Sequence, residues 1–389
     1  LSERFGKEAI DAIAKAGYWF DYINDEALSR FDEYDYKTLI IMDTTRIPVE
    51  TAENIKKFAK AGNVVICASH LPAESCGLLK AEEIAEIHWG KNPERVDFGI
   101  LYEQRSKVLR MACSRFVPDS AYEAFVAENE AWLDDYSLFM ALKAQMGGTP
   151  WLQWPEALKC HEDAALAAKR EELKEEISLQ YFLQYQFDRQ WKALRGYANG
   201  KGIRIIGDVP IYVPIDSVEV WTEPKLFQLD ENLNPTAVAG CPPDAFSPDG
   251  QLWGNPLYDW DYHKKTKYAW WMQRIGYCYE LYDVVRIDHF RGFDEYYSIP
   301  FGDPTAEFGH WGQGPGFDLF KVIKEKLGKK NVIAEDLGFL TDTVIKLVKK
   351  TGFPGMKVLE FAFDSRDTGS ANDYLPHNYI ENCVAYTGT

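Results

Sequence analysis

From residue 201 onward the sequence repeats one arrangement: a short apolar run that closes on an acidic or polar residue. The runs are Ile203 to Asp208, Val284 to Asp288, Val332 to Asp336, Val358 to Asp364 and Cys383 to Thr387. Helical spacing intervenes at 317–327 and 341–350. Alternating β and α units lead to a parallel sheet or a (β/α) barrel. Five such strands are counted, where a closed barrel has eight. The expectation is therefore an α/β fold with an incomplete (β/α)8 TIM-type barrel over 201–389. The stretch 214–262, rich in Pro, Gly and Trp, reads as a long functional insertion between two strands.

Upstream the pattern differs. Over 77–200 the chain reads as a mainly helical subdomain, with apolar positions at three and four spacing in 121–146 and 164–198. Gly147-Gly148-Thr149-Pro150 separates the two, and the second is long enough to be kinked or divided. Residues 1–70 read as a small α/β segment: a helix from Phe5 to Lys15, a strand from Thr38 to Asp43, a helix from Val49 ending at Gly62, and a strand from Val64 to Cys67.

Composition narrows the function classes. The formal net charge of -17 argues against nucleic acid or an anionic membrane surface as partner, because phosphate binding needs clustered positive charge. No apolar run approaches the roughly 20 residues that span a bilayer. Seven scattered cysteines, none at metal-ligand spacing, read as free thiols in a reducing cytoplasm.

Three strand-end acids are candidates for chemistry: Asp208, Asp288 and Glu335. Acids at the C-terminal ends of barrel strands usually read as catalytic. Arg286 and Asp288 lie two apart, so on a strand both side chains share one face. A fixed cation beside a carboxylate keeps it ionised, as a nucleophile requires. Glu335 stands among apolar neighbours that would raise its pKa, suiting it to donate a proton and take it back. One ionised and one protonated carboxyl, about 5–5.5 Å apart, is the arrangement for retaining glycosyl transfer. Any one such acid is more often a helix cap or a surface ion pair.

The segments Gly207-Asp208-Val209-Pro210-Ile211-Tyr212-Val213, Val285-Arg286-Ile287-Asp288-His289-Phe290-Arg291-Gly292 and Ile333-Ala334-Glu335-Asp336-Leu337-Gly338 closely resemble those of the amylomaltases. These are the 4-α-glucanotransferases of glycoside hydrolase family 77, in the α-amylase superfamily. So do Ala239 to Phe246, Gly250 to Tyr258, and Glu94-Arg95-Val96-Asp97-Phe98-Gly99; the resemblance covers about 77–389. It implies a retaining transferase that moves α-1,4-glucan segments between maltooligosaccharides, with Asp288 as nucleophile and Glu335 as general acid/base. Arg286 would support Asp288, His289 would contact donor sugar, and Asp208 would stand at the edge of the site. Asp249, Trp253, Asn255 and Tyr258 would line the cleft, with packing as the competing reading for Trp253 and Tyr258. No metal or organic cofactor is implied. The other six histidines read as surface or core residues.

Two departures qualify the resemblance. The family's His-Asp-Asn run, which carries a third carboxylate, follows a segment like Val384 to Gly388, and the sequence ends at Thr389 where that run would begin. An alternative thus stands beside the transferase: an incomplete, inactive maltooligosaccharide-binding chain. Residues 1–70 do not match the family; they read either as an amidotransferase-like α/β domain or as a fusion.

Overall fold

A computed structural model describes residues 25–388, apart from 35, 42–45, 68–72, 75–77, 80–82, 85–86, 91, 93, 245–246, 339, 364–368 and 370–371. The expected helix from Phe5 to Lys15, and Asp364, lie outside the described residues. The chain divides into two compact units, Leu1–Ser120 and Ala121–Thr389.

In the first unit, β1 (Thr38–Ile41) and β2 (Val64–Cys67) pair in parallel, with Thr38 opposite Val64, and α1 (Val49–Lys60) connects them. This is the βαβ unit expected. Phe58 on α1 is 2% exposed and takes the edge of Phe31 at 5.3 Å. Gly62, at φ 89°, occupies left-handed backbone just past the helix end, where glycine carries no Cβ penalty. Further along, α2 (Phe98–Ser114) starts at Asp97, whose side chain accepts the Ile100 N–H.

Helix α3 (Ser120–Gln145) starts at the last residue of the first unit and otherwise belongs to the second, where α4 (Asp163–Glu172) and α5 (Lys174–Gly200) follow. The long helical stretch is divided at Leu173, which belongs to neither α4 nor α5. Helix α5 is fixed by Arg195, whose guanidinium donates to Asp283 Oδ1 and to the carbonyls of Tyr279, Glu280 and Tyr282.

Three parallel strands follow: β3 (Ile206–Pro210), β6 (Val284–Asp288) and β9 (Val332–Ala334), with β6 in the middle. Val285 and Ile287 of β6 are 0% and 2% exposed, while Arg286 and Asp288 alternate onto the other face. Gly207 of β3 permits the close approach of Tyr282, because a Cβ there would collide with that ring. A second parallel pair, β10 (Gly355–Val358) with β11 (Cys383–Tyr386), continues the series through the Ala334 N–H bond to the Pro354 carbonyl. Helices α6 (Ala269–Leu281), α7 (Phe317–Leu327) and α8 (Asp342–Thr351) alternate with these strands.

Two expectations are corrected. The run beginning at Val358 is not the fourth strand; Val358 ends it, and 359–363 form a 3-10 helix. Gly355 and Lys357 hide the strand's apolar character in the sequence, and pairing with 383–386 sets its place. The stretch 214–262 is not a plain loop either. It contains β4 (Ala237–Cys241) and β5 (Gln251–Pro256), which join β7 (Glu295–Pro300) and β8 (His310–Gln313) in an antiparallel sheet ordered β8-β7-β4-β5. These partners are distant in sequence, so periodicity alone does not reveal them.

Candidate active site

Register brings these residues together, although Asp208 is corrected from a strand-end acid to a mid-strand one, since β3 continues to Pro210. Asp208 on β3 lies opposite Arg286 on β6, and Pro210 opposite Asp288. Ile287 lies opposite Ala334, so the following residues, Asp288 and Glu335, are lateral neighbours at the strand ends. The Glu335 N–H bond to the Ile287 carbonyl, 3.0 Å, extends the ladder by one residue. Adjacent strands run about 4.8 Å apart, so the two residues are neighbours across the ladder.

Arg286 holds the centre. Its Nη1 lies 2.6 Å from Asp208 Oδ1 and its Nη2 2.9 Å from Asp288 Oδ1. Burial opposes the guanidinium charge, but Asp208, Asp288 and Glu335 together outweigh it and raise its pKa. Its third donor, Nε, meets Met356 Sδ at 3.3 Å. Met356 is in turn fixed by its own N–H, 2.7 Å from Asp336 Oδ1.

Glu335 is held by two backbone donors: the His289 N–H at 2.8 Å from Oε2 and the Leu337 N–H at 2.9 Å from Oε1. Burial raises the pKa of this carboxyl and is the largest influence. The two amides and Arg286 pull the other way, while Asp288 adds to the rise; burial prevails.

His289 has φ 54°, in the left-handed region that non-glycine residues seldom adopt. That turn directs its N–H to Glu335. Trp253 meets the imidazole edge-on at 4.8 Å. Burial, then Arg291, depresses the ring's pKa to about 4, so it is neutral at physiological pH. Its Nε2 is buried without a hydrogen-bond partner.

The remaining sequence candidates fall in different places. Trp253 is 36% exposed, so part of its ring faces solvent beside His289. Asn255 donates its amide to the Val213 carbonyl at 2.9 Å. Asp249 is exposed, with its carbonyl accepting the Ala306 N–H. The expectation that Tyr258 lines the cleft is corrected: it is 1% exposed, and its hydroxyl donates to the Ile211 carbonyl at 2.7 Å. Stacked on Tyr212 at 5.8 Å and packed against Trp270 and Trp271, it is a core residue. Met356 is the neighbour of Arg286 that sequence reasoning missed. A correct boundary for β10 would have placed it there.

Acids gathered at the C-terminal ends of parallel strands, with helices between them, define the class of (β/α)-barrel proteins that carry their sites on that face. The chain belongs to the 4-alpha-glucanotransferase family, glycoside hydrolase family 77, whose model matches residues 58–389. The match begins earlier than the sequence motifs suggested, within α1. The chain is 49% identical over 315 residues to a 4-alpha-glucanotransferase of Clostridium butyricum, covering 80% of this chain and 64% of that protein. It is 49% identical over 303 residues to the 4-alpha-glucanotransferase of Thermus thermophilus, covering 76% and 60%. The solved amylomaltase of Streptococcus agalactiae in complex with acarbose superposes with a TM-score of 0.77 at 46% identity, covering 80% and 64%. That likeness shows a TIM-barrel-type fold. The chain thus spans under two thirds of the length of these relatives. Among the described residues no helix is long and apolar enough to cross a membrane.

Proposed function

We propose that this chain carries the nucleophile and acid/base of a retaining 4-α-glucanotransferase acting on maltooligosaccharides. The observation that carries the reading is the lateral pairing of Asp288 and Glu335, with Arg286 clamped between Asp208 and Asp288 at 2.6 and 2.9 Å. In this reading Asp288 attacks the anomeric carbon while Glu335 protonates the departing glycosidic oxygen. A glucosyl ester on Asp288 results. An acceptor sugar hydroxyl then gives its proton to Glu335 and displaces Asp288, restoring both groups. His289 and Trp253 would contact donor sugar, and Asp249 and Asn255 would border the cleft. The five parallel strands correspond to five of the eight in a (β/α)8 barrel, with 77–200 as its helical subdomain and 1–70 as a separate α/β part. The five free thiols among the described residues accord with a cytoplasmic setting.

Similarity to named 4-alpha-glucanotransferases supports the transferase over the alternative of a chain that only binds sugar. Incubation with maltotriose tests it. Glucose together with longer oligomers is expected, and Asp288→Asn abolishes both. Absence of products from the unaltered chain, with maltooligosaccharide binding retained, would instead establish the binding-only protein.

A further inference from the structure

Glu335 immediately follows β9, and each of the three residues after it makes a fixing bond. Asp336 Oδ1 accepts the Met356 N–H at 2.7 Å. The Leu337 N–H donates to Glu335 Oε1 at 2.9 Å. The Gly338 N–H donates to Tyr374 Oη at 3.2 Å, a residue 36 positions further along the chain. The turn that faces Leu337 toward Glu335 is therefore held on one side by β10, through Asp336, and on the other by Tyr374. Gly338 has φ 82°, and a Cβ there would meet nothing within 4 Å, so its backbone alone decides what the position tolerates.

Tyr374 is itself well anchored. Its N–H donates to Asn372 Oδ1 at 2.8 Å, and Asn372 is 5% exposed, with its carbonyl accepting the Asn378 amide at 2.8 Å. Its ring meets Phe361 edge-on at 5.3 Å. Burial raises the pKa of the phenol, so Oη remains a neutral hydroxyl that accepts a hydrogen bond.

The Leu337 amide matters to the chemistry of Glu335. After burial, it is the largest influence on this carboxyl, ahead of the His289 amide, and it favours the ionised form. The other groups facing Glu335 come from several elements. Arg286 and Asp288 lie on β6, Cys241 on β4, and Tyr374 beyond β10, while the neighbouring His289 ring is neutral at physiological pH. We propose that Tyr374 is a positioning residue for Glu335: by taking the Gly338 N–H it fixes the turn that aims the Leu337 N–H at the Glu335 carboxyl. The consequence for transfer rests on Glu335 being the acid/base of the proposed function.

Carbon-13 NMR titration of the full chain, labelled at glutamate Cδ and with Glu335→Gln identifying the resonance, tests the assignment. Tyr374→Phe keeps the ring against Phe361 and removes the hydroxyl that accepts the Gly338 N–H. Loosening the turn weakens the Leu337 bond and so disfavours ionised Glu335. The Glu335 midpoint should rise by about half to one pH unit, as for a charge-assisted bond weakened rather than lost. The alkaline limb of kcat/KM for maltotriose should move up with it, a gain of about three- to tenfold at a fixed pH on that limb. Gly338→Ala strains the same turn from the donor side and should raise the midpoint likewise; it decides the matter if Tyr374→Phe does not fold. A role in packing alone would lower the unfolding temperature of Tyr374→Phe and leave the midpoint in place. An unmoved or lower midpoint in Tyr374→Phe overturns the inference and leaves the proposed function standing. A midpoint that rises while the alkaline limb stays put, or in a chain that shows no transfer, keeps the positioning role and overturns the proposed function instead.

Discussion

Replacing Asp283 tests how the strand that carries Arg286 and Asp288 is anchored. Asp283 immediately precedes β6. Its Oδ2 accepts the Ile205 N–H and the Asn199 amide, each at 2.8 Å, and its Oδ1 lies 2.7 Å from Arg195 Nη2. The Ile205 amide, then Arg195, holds the carboxyl down from an ordinary 3.8 to about 2. At about 1.36 kcal/mol per pH unit, that depression is worth about 2.4 kcal/mol. The side chain is 14% exposed and stands near solvent, so screening reduces the figure to about 1–2 kcal/mol. The sign follows from the depressed value: the unfolded chain binds the proton more readily. The contribution is therefore complete above about pH 4 and fades as pH falls toward about 2. Asp283→Asn removes the charge and keeps the shape. Urea unfolding followed by tryptophan fluorescence should show the variant weaker by about 1–2 kcal/mol at neutral pH. The deficit should close as both proteins are titrated toward about pH 2. An equal deficit at both ends of that range, or none at neutral pH, would refute the electrostatic account.

Other perturbations have distinct signatures. Since burial raises the pKa of Glu335, transfer should persist to higher pH than an ordinary glutamate allows and then decline as the proton is lost. Glu335→Gln should remove that alkaline limb for glucosyl fluoride, whose leaving group needs no proton, while glucan donors become inert; an unchanged pH profile would count against Glu335 as the acid. Tyr258→Phe should cost only about 1 kcal/mol, because Arg274 Nη1 still donates to the Ile211 carbonyl at 3.1 Å; thermal unfolding reads the change. Trp221→Ala should cost about 3–5 kcal/mol, as expected when a 1% exposed indole leaves a cavity, and chemical denaturation would show it.

The strands leading to Asp288 and Glu335 were legible because each is a buried apolar run closed by an acid, whereas β3 runs on past Asp208 to Pro210 and leaves Ile206 exposed. Arg286 was legible beside Asp288 because strand alternation fixes a two-residue spacing to one face. Strand β10 was displaced in the sequence reading since Lys357 interrupts the apolar pattern, and its partner lies at 383–386. Met356 went unnoticed for the same reason. The antiparallel sheet containing β4 and β5 was illegible because its pairings with 295–300 are long-range and β4 itself contains a glycine. Tyr258 illustrates a further limit: an aromatic next to a polar motif has the same letter whether it faces sugar or core. Only its 1% exposure and the bond to Ile211 decide.

The ion pairs around Arg286 leave a formal imbalance. Two aspartates share one guanidinium, so the trio has an excess of one negative charge before Glu335 is counted. Burial raises the Glu335 pKa, so this carboxyl keeps its proton to higher pH than an ordinary glutamate does. Under the proposed function, such a centre would gain little from an uncharged sugar at rest. It would gain most as the sugar ring becomes oxocarbenium-like, because the single surplus anion would then have a counterion forming in front of it.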